Sequence, residues 1–463
     1  MKLLTYILSI FILTSVASIT SCKKKVTFSS DGIEFTKDSV IFDTIFTTVG
    51  STTLNFRIKN NSNNPVQINE ISLMGGSNSN FRINVDGISG DIHQDVTIPA
   101  KDSLYTFVEV TLDPNNQNNP LIIEDSIRFL VNGEYSYVVL AAWGQDAYFH
   151  YNDVNEGVWP NDKPHVVYGF AGIDSAKNLV IQQGTDVYLH KNSLLYVYKG
   201  SVDIQGTKDF PVTFQGDRLE AFYDDVAGQY YGLYFEEART STINHAIIKN
   251  GTAGIHIFGN ADVNTDYTVK VSNTQIYNNA SYGLFNFRGG NIFGENLSIY
   301  KNGTYGYFHL VGGNYFFKQS NLLSYGGNAS VAAAIKNYYT DPNDNTTYVS
   351  NINEGVFYNS ILDAGGDYSF GFDTINPDNS LSFNFEFDYT SLKAEEIPQD
   401  DRFTNILWNS SPGFVDVNAD DYHLGATSPL INAGNTAPTH TNNLDIENNP
   451  RNGVPDLGAY EFQ

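Results

Sequence analysis

The sequence is poor in cysteine, tryptophan, methionine and basic residues. One cysteine among 463 residues leaves no intrachain disulfide and no cysteine-ligated zinc site. Lysine and arginine total 26 against 51 acidic residues, which gives a formal net charge of −25. Such a surface repels phosphate backbones, so no nucleic-acid partner is expected. Charged residues make up only 17%, which is unlike a disordered tail or a coiled coil.

Aromatic and turn-forming residues are abundant instead. The chain has 30 tyrosines, 31 phenylalanines and 39 glycines, and asparagine recurs along its whole length. Aromatic side chains favour strands, whereas glycine and asparagine favour tight turns. The composition therefore predicts an all-β protein built from many strands.

The N-terminus has the pattern of a secretion signal. An apolar run, Leu3–Leu13, follows Met1 and Lys2, and small residues then lead to Ile19-Thr20-Ser21-Cys22. The run is too short for a membrane span. Its last four residues resemble the bacterial lipobox, which implies a signal peptide at 1–22, lipidation at Cys22 and attachment to the membrane through that lipid. An ordinary signal peptide is the alternative. The resemblance predicts a lipoprotein of the cell envelope that is anchored at the outer membrane. It leaves open whether the protein faces the periplasm or the cell surface.

Residues 26–145 show the alternation of a β-sandwich. Three stretches, Leu54–Lys59, Val66–Ile71 and Phe107–Leu112, each place apolar residues at every second position. Repeated half-buried strands over this length predict an immunoglobulin-like sandwich. A segment rich in polar residues, proline and glycine at 146–164 is interpreted as a linker to the next domain.

Short motifs in this first domain resemble the abnormal-spindle/hydin type of immunoglobulin-like domain. The matching motifs are Val49-Gly50-Ser51, Lys59-Asn60-Asn61, Pro65-Val66-Gln67-Ile68 and Phe81-Arg82-Ile83. The resemblance implies a spacer or protein-contact module and says little about activity.

Internal repeats define the second domain. Three segments, Asn244–Gly251, Asn273–Asn279 and Asn296–Gly303, align with offsets of 29 and then 23 residues. These offsets superpose the columns Asn244/Asn273/Asn296, Ile247/Ile276/Ile299, Asn250/Asn279/Asn302 and Gly254/Gly283/Gly306. In-register columns predict a parallel β-helix with isoleucine stacked inside and asparagine ladders at the bends. In this alignment His245 shares a column with Thr274 and Leu297.

Two further stretches support this fold by resemblance. Asn178–Thr185, Leu195–Thr207 and Gly228–Phe235 resemble the opening coils of Bacteroidetes-type right-handed parallel β-helix proteins. Asp421–Leu424, Ser428–Gly434 and Pro455–Glu461 resemble the choice-of-anchor Q pattern, which closes such a helix. The resemblance implies a right-handed parallel β-helix at 165–420 and a closing segment at 421–463. It leaves activity open, because this fold includes lyases, hydrolases, adhesins and scaffolds.

Catalytic residues are not assigned from the sequence. A glycoside hydrolase needs carboxylates on both sides of a bond, and the candidates are Asp224-Asp225 and Glu236-Glu237. Neighbours on a strand point to opposite faces, so neither pair can flank one bond by itself, but separate members could meet across stacked coils. The bases that a polysaccharide lyase needs could come from His245, His256, Arg288, His309 or Lys318. Arg451 with Asp456 and Glu461 is interpreted as an ion pair that holds the closing segment.

Metal binding is left open in the same way. Asp341–Asn345 and Asp416–Asp421 are rich in the oxygen ligands that Ca²⁺ prefers, so calcium is a possible cofactor. Neither has the spacing of an EF-hand, and aspartate and asparagine are common in ordinary turns.

The sharpest prediction concerns an outward aromatic face. Strand alternation after the column glycines places His256, Phe285 and Phe308 outside, with Phe258, Phe287 and Leu310 in the neighbouring column and Arg288 beside them. Three coils span roughly 10 Å, about two sugar rings, and the rings are expected to accept sugar faces while Arg288 binds an acidic group. The alternative is that residues 337–351 or the closing segment cover these residues as a second core.

The sequence thus predicts a cell-envelope lipoprotein whose β-helix binds extracellular material, with polysaccharide as the expected ligand. A polysaccharide lyase or glycoside hydrolase, and a non-catalytic adhesin or scaffold, are the alternatives.

Overall fold

The computed structural model describes residues 27–47, 50–112, 121–259, 267–325, 331–377, 379–436 and 443–463. Within these ranges the regular secondary structure is β-strand, apart from three short 3₁₀-helices at Gly76–Asn78, Ala221–Tyr223 and Val417–Ala419. No helix in these ranges has the length and apolar character required to cross a membrane. The chain divides into two compact units, with the boundary between Gln145 and Asp146. The predicted all-β class, a sandwich followed by a parallel β-helix, is confirmed.

The first unit is a sandwich of two five-stranded sheets. Its strands are β1 (Glu34–Phe35), β2 (Ser39–Phe46), β3 (Leu54–Lys59), β4 (Val66–Leu73), β5 (Phe81–Val85), β6 (Ile88–Ser89), β7 (Ile92–Ile98), β8 (Ser103–Val110), β9 (Leu121–Val131) and β10 (Glu134–Gln145). One sheet has the order β1-β3-β8-β5-β6 and the other β2-β10-β9-β4-β7. All neighbours are antiparallel except β2 and β10. Alternating apolar residues such as Phe56, Ile68 and Phe129 fill the space between the sheets.

The second unit begins with short strands that repeat along the chain. They are β11 (Tyr148–Val154), β12 (Gly157–Trp159), β13 (His165–Ile173), β14 (Asn178–Gln182), β15 (Asp186–Leu189), β16 (Leu194–Tyr198), β17 (Ser201–Gln205), β18 (Val212–Gly216), β19 (Gly232–Glu236), β20 (Ser241–Asn244), β21 (Ala246–Lys249), β22 (Ala253–Phe258), β23 (Val269–Tyr277), β24 (Tyr282–Arg288) and β25 (Ile292–Tyr300). The stretch 146–164, interpreted from the sequence as a linker, therefore carries two strands, and these pair in parallel with β13 and β14.

The remaining strands complete the helix and its closing segment. They are β26 (Tyr305–Val311), β27 (Tyr315–Lys318), β28 (Asn321–Ser324), β29 (Ala333–Lys336), β30 (Tyr338–Thr340), β31 (Thr347–Val349), β32 (Gly355–Tyr358), β33 (Ile361–Ala364), β34 (Phe370–Asp373), β35 (Glu386–Asp388), β36 (Ser391–Leu392), β37 (Phe403–Thr404), β38 (Leu407–Trp408), β39 (Phe414–Asp416) and β40 (Asp421–Leu424). Two antiparallel hairpins, β30–β31 and β39–β40, stand apart from the parallel ladder.

The parallel pairings sort the helix strands into three faces. Face A contains β15, β18, β21, β28, β33, β36 and β38 with the C-terminal halves of β23 and β25. Face B contains β16, β19, β22, β24, β26, β29 and β34 with the C-terminal half of β13. Face C contains β12, β14, β17, β20, β27, β32, β35 and β37 with the N-terminal halves of β23 and β25. Each coil passes from A to B to C.

The interior isoleucine column differs by one residue from the predicted alignment. Ile276 stacks on Ile299 as expected, but its neighbour in the preceding coil is Ile248, and all three side chains are fully buried. Ile247 lies opposite Gln275 and is half-buried. The offset is 28 residues here and 29 at Ile255 and Leu284. The corner between β21 and β22 is therefore one residue shorter than the corner between β23 and β24, a difference that a uniform offset hides.

The asparagine columns show the same one-residue shift as the isoleucine column. Asn250 bonds to Asn278, with Nδ2 of Asn278 donating over 2.8 Å, whereas Asn279 donates from its Nδ2 to Asn302 over 2.9 Å. At the corner between faces C and A the predicted ladder forms. Nδ2 of Asn273 donates to Asn244, and Nδ2 of Asn296 donates to Asn273, each over 2.9 Å.

The residues at the bend of this corner have a left-handed backbone conformation. Asn273 and Asn296 have φ of 50° and 52°, values that asparagine tolerates better than most residues. His245 has φ of 47° and occupies the same bend, so it does not share a column with Thr274 and Leu297 as the alignment predicted. The corner needs only one or two residues per coil from His245 onward.

The closing segment packs along the side of the helix, on face A. Tyr300, Leu323 and Ile361 of that face form a second core. Their partners in the closing segment are Tyr422, Leu424, Leu430, Ile446, Leu457, Ala459 and Tyr460. Within the segment, Nη1 of Arg451 lies 3.0 Å from Oε2 of Glu461, and both side chains are buried.

This ion pair agrees with the predicted structural role of Arg451. Its Nη2 also donates to Oδ1 of Asn296 over 3.2 Å, so it connects the ladder to the segment. Asp456, the other predicted partner, accepts instead from the backbone amides of Asn432 and Phe462 over 2.7 and 2.6 Å.

Candidate ligand-binding face

Face B is flanked by the long connections of the helix. The two longest run through residues 217–231, between β18 and β19, and through residues 337–354, between β29 and β32. The first enters face B and the second leaves it, so they border opposite edges. Face A carries the closing segment and the corner between faces C and A is tight, so the connections that vary most in length are those that enter and leave face B. Binding sites on repeat proteins are commonly built by insertions around one face.

A column of rings runs along the outside of face B. The rings of His256 and Phe285 have centroids 4.6 Å apart, and those of Phe285 and Phe308 lie 5.2 Å apart at 7° between planes. All three side chains are half-buried. The inward neighbours Ile255, Leu284 and Tyr307 are fully buried. The structure thus brings together the three residues that strand alternation placed on the outside.

The column is longer than the sequence analysis recognised. Tyr234 precedes His256 at 4.7 Å, and Tyr196 precedes Tyr234 at 5.6 Å. Four steps at the roughly 4.8 Å spacing of paired strands make about 19 Å. The motif Gly232-Leu233-Tyr234 has the same order, glycine then apolar then aromatic, as Gly254-Ile255-His256. That match is the signal that could have extended the column.

The neighbouring column is partly covered. Phe258 and Phe287 stack with centroids 5.4 Å apart, but Tyr339 of the β30–β31 hairpin packs edge-on against Phe287 at 5.2 Å. Leu310, the third residue expected there, is buried, and β30 lies against its strand. The hairpin within 337–351 therefore covers one end of this column.

Arg288 lies beside this column and is exposed. Its guanidinium carbon is 5.5 Å from the centre of the Tyr348 ring of the hairpin. Arg218, Arg402 and Arg451 of the same unit each pair with a carboxylate. No described residue forms an ion pair or hydrogen bond with the guanidinium of Arg288, so these donors are available to an anion.

The orientation of the rings differs from the expectation that their faces are open. The planes of Phe285 and Phe308 are almost parallel and follow one another along the helix axis, so each ring covers the face of the next. Tyr282 and Tyr305 lie beside them, with centroids 4.7 Å from Phe285 and 5.2 Å from Phe308. Ring edges therefore point outward along the column. A ring face can be open only where a small residue interrupts the stack.

The histidines of face B are held neutral. His256 is packed between neighbouring rings, its Nδ1 lies 2.6 Å from the hydroxyl of Tyr231, and burial lowers its pKa to about 4. His309 points into the helix, its Nδ1 lies 2.7 Å from the hydroxyl of Tyr307, and complete burial lowers its pKa to about 3. Both lie inside packed groups, so neither is placed as a base at an open surface.

The carboxylates near face B are engaged in structural contacts. Glu236 accepts a hydrogen bond from the hydroxyl of Tyr196 over 2.7 Å, and Glu237 forms a 3.0 Å ion pair with Lys199. Lys318 is buried in a 2.7 Å ion pair with Glu295 on face C. Glu236 and Glu237 are therefore held in separate contacts, one with Tyr196 and the other with Lys199.

The two loops considered for calcium use their aspartates in turns. Oδ1 of Asp341 accepts from the backbone amide of Asn343 over 2.8 Å, and Oδ1 of Asp416 accepts from that of Asn418 over 3.0 Å. In the part of the chain that the structure describes, no group of three or more histidine, cysteine, aspartate or glutamate side chains is arranged to hold a metal ion. The predicted lipidation site, Cys22, lies outside the described residues.

Comparisons with known proteins add little. No family model matches the chain, and no curated protein matches it. One similar solved structure is a family 123 glycoside hydrolase from Clostridium perfringens, whose title concerns the hydrolysis of glycolipid glycans. The sequences are 9% identical, the match covers 26% of this chain and 30% of that chain, and the TM-score is 0.19. A likeness at this level carries no argument about the fold or activity of this chain.

Proposed function

We propose that this protein is a cell-envelope lipoprotein whose β-helix binds extracellular polysaccharide along face B. The observation that carries the proposal is the half-exposed aromatic column, which lies on the face bordered by the two longest connections of the helix. Aromatic side chains supply large rigid contact area and suit ligands with an apolar body and a polar rim, as sugars have.

The dimensions of the column fit an extended ligand. At about 19 Å from Tyr196 to Phe308, the column can contact roughly four sugar rings in a chain that runs along the helix axis. Arg288, with its donors available, would bind a carboxylate or sulfate on such a chain. The lipid at Cys22 would hold this face at the cell envelope. Glu236 and Glu237, the carboxylates at the end of β19, are engaged by Tyr196 and Lys199, which favours binding over cleavage.

Binding is tested by retention on polysaccharide. The parent protein and the double variant Phe285→Ala with Phe308→Ala are applied to a panel of immobilised neutral, cationic and acidic polysaccharides. The matched control is Phe293→Ala with Phe316→Ala, which removes a stacked pair with centroids 6.0 Å apart on face C of the same coils. We expect the face B variant to lose retention and the face C variant to keep it, with both still folded by circular dichroism.

Three outcomes contradict the proposal. If no polysaccharide of the panel retains the parent protein, the protein is not a polysaccharide-binding protein. Equal retention of both variants places the site away from face B. Mass spectrometry of the polysaccharide after incubation covers the enzymatic alternative, because new reducing or unsaturated ends show cleavage.

A further inference from the structure

The aromatic column of face B ends at a glycine. In the coil before Tyr196, the residue paired with it is Gly172. Without a side chain at this position, the stack stops, and the face of the Tyr196 ring that is turned away from Tyr234 has no stacking partner in the column. The rings of His256, Phe285 and Phe308 cover one another inside the column. At the far end Phe308 is followed by Ala334, so what distinguishes the Tyr196 end is the depression beside it.

A depression of about 90 Å³ lies at this interruption. Its lining includes Val154, Phe170, Tyr196 and Tyr198. Phe170 stands edge-on to Tyr196, at 85° between planes and 6.3 Å between centroids, so the two rings form adjacent sides of one hollow. Val154 is 54% exposed, which leaves this side of the hollow accessible from solvent.

The orientation of Tyr196 is fixed from behind. Its hydroxyl donates to Oε2 of Glu236 over 2.7 Å, and Tyr234 stacks on its other face at 24° between planes. A wall that is already held in place loses little conformational entropy when a ligand binds. A hollow with a mainly apolar, aromatic lining also has the general character of a small-ligand site.

We propose that this depression, the Gly172 pocket, is a subsite that receives one sugar ring, whose apolar face stacks on Tyr196. The inference rests on the proposed polysaccharide binding and adds where the chain is anchored: one ring occupies the Gly172 pocket, and the following rings run along the column toward Phe308. The volume admits part of a single ring, so the pocket selects the end or a bend of the chain.

Filling the pocket tests the inference without removing an aromatic residue. A Cβ at position 172 would lie 3.3 Å from two ring carbons of Phe170 and 3.4 Å from the carbonyl of Asp153, so the Phe170 ring must move by a few tenths of an ångström. Gly172→Val then occupies the hollow. The matched control is Gly371→Val at the opposite end of the same column, where an added Cβ meets no atom within 4 Å. Neither glycine has a positive φ, so valine suits both strand positions.

Affinity is measured by calorimetry with cello-, xylo-, manno-, chito- and galacturono-oligosaccharides of two to six rings. For the series that the parent binds, we expect Gly172→Val to weaken binding about tenfold, the size of one aromatic stacking contact and its burial. Tyr196→Ala should weaken binding similarly, and Gly371→Val should bind as the parent does. Circular dichroism and melting curves establish that each variant is folded.

The outcomes separate this inference from the proposed function. Parent-like affinity in folded Gly172→Val overturns the subsite, and if Phe285→Ala with Phe308→Ala still abolishes binding, face B remains the binding face. A loss in Gly371→Val alone places the ring at the other end of the column and also overturns the inference. If the parent binds none of the polysaccharides or oligosaccharides, the proposed function itself fails.

Discussion

Asn296 connects the ladder at the corner between faces C and A to the closing segment, and its removal has a calculable cost. Its Nδ2 donates to Oδ1 of Asn273 and to the carbonyl of Leu444, each over 2.9 Å, and its Oδ1 accepts from Nη2 of Arg451 over 3.2 Å. The side chain is fully buried, so water cannot replace these partners. We predict that Asn296→Ala destabilises the β-helix by about 3–6 kcal/mol, because it removes three buried hydrogen bonds, one of them to a charged group.

The matched control is Asn273→Ala. Asn273 has nearly the same φ, so the cost of placing alanine in the left-handed region is common to both variants. Its side-chain hydrogen bonds go to Asn244 and Asn296, both within the ladder. We expect it to cost about 1–3 kcal/mol, so the difference between the variants measures the attachment of the closing segment.

The assay combines urea unfolding with limited proteolysis. Unfolding is followed by circular dichroism, and the cleavage sites are identified by mass spectrometry. Asn296→Ala should unfold at lower urea than Asn273→Ala and should be cleaved within 421–463 under conditions that leave Asn273→Ala intact. Equal midpoints and equal cleavage patterns would refute the reasoning that Asn296 holds the segment to face A.

Three further predictions follow from the fold and from the N-terminal motif. Ile276→Ala should lower the free energy of unfolding in urea by about 2–5 kcal/mol, because it is a large-to-small change at a fully buried position. Ile247→Ala should lower it by under about 1.5 kcal/mol, because Ile247 lies opposite Gln275 and is only half-buried. If Ile247→Ala were the costlier change, the alignment with a uniform 29-residue offset would be the correct one. Burial lowers the pKa of His165 to about 4 and that of His309 to about 3, below the value near 6.5 of the unfolded chain, so the folded state resists protonation. The contribution of each histidine to the free energy of unfolding should therefore be complete above pH 6.5 and should fall by up to about 3 kcal/mol as the pH decreases toward 4. Melting temperatures that stay constant from pH 7 to pH 5 would contradict this. Cys22→Ala should move the protein from the membrane fraction to the soluble fraction while its circular dichroism spectrum stays unchanged, and continued sedimentation with membranes would rule out the lipid anchor.

Much of the architecture could be predicted because it is periodic. Stacked coils repeat the same local environment, so recurring glycine, isoleucine and asparagine in the sequence report recurring bends, interior positions and ladders. Alternation then distinguishes Ile255 and Leu284, which point inward, from His256 and Phe285, which point outward. The one-residue difference between corners escaped this reasoning, since only backbone pairing shows that Ile248 and not Ile247 stacks on Ile276.

Spacing along the chain was enough to predict the fold class, the inward and outward sides of the strands and three rings of the face B column, His256, Phe285 and Phe308. What covers the outward sides could be seen only in the folded molecule. The closing segment reaches face A through contacts such as Asn296 with Leu444, 148 residues apart, and no local pattern encodes a pairing at that distance. The same holds for the hairpin that covers Phe287, for the rings that hide one another's faces, and for the pocket at Gly172, since each depends on side chains that packing brings together from different coils.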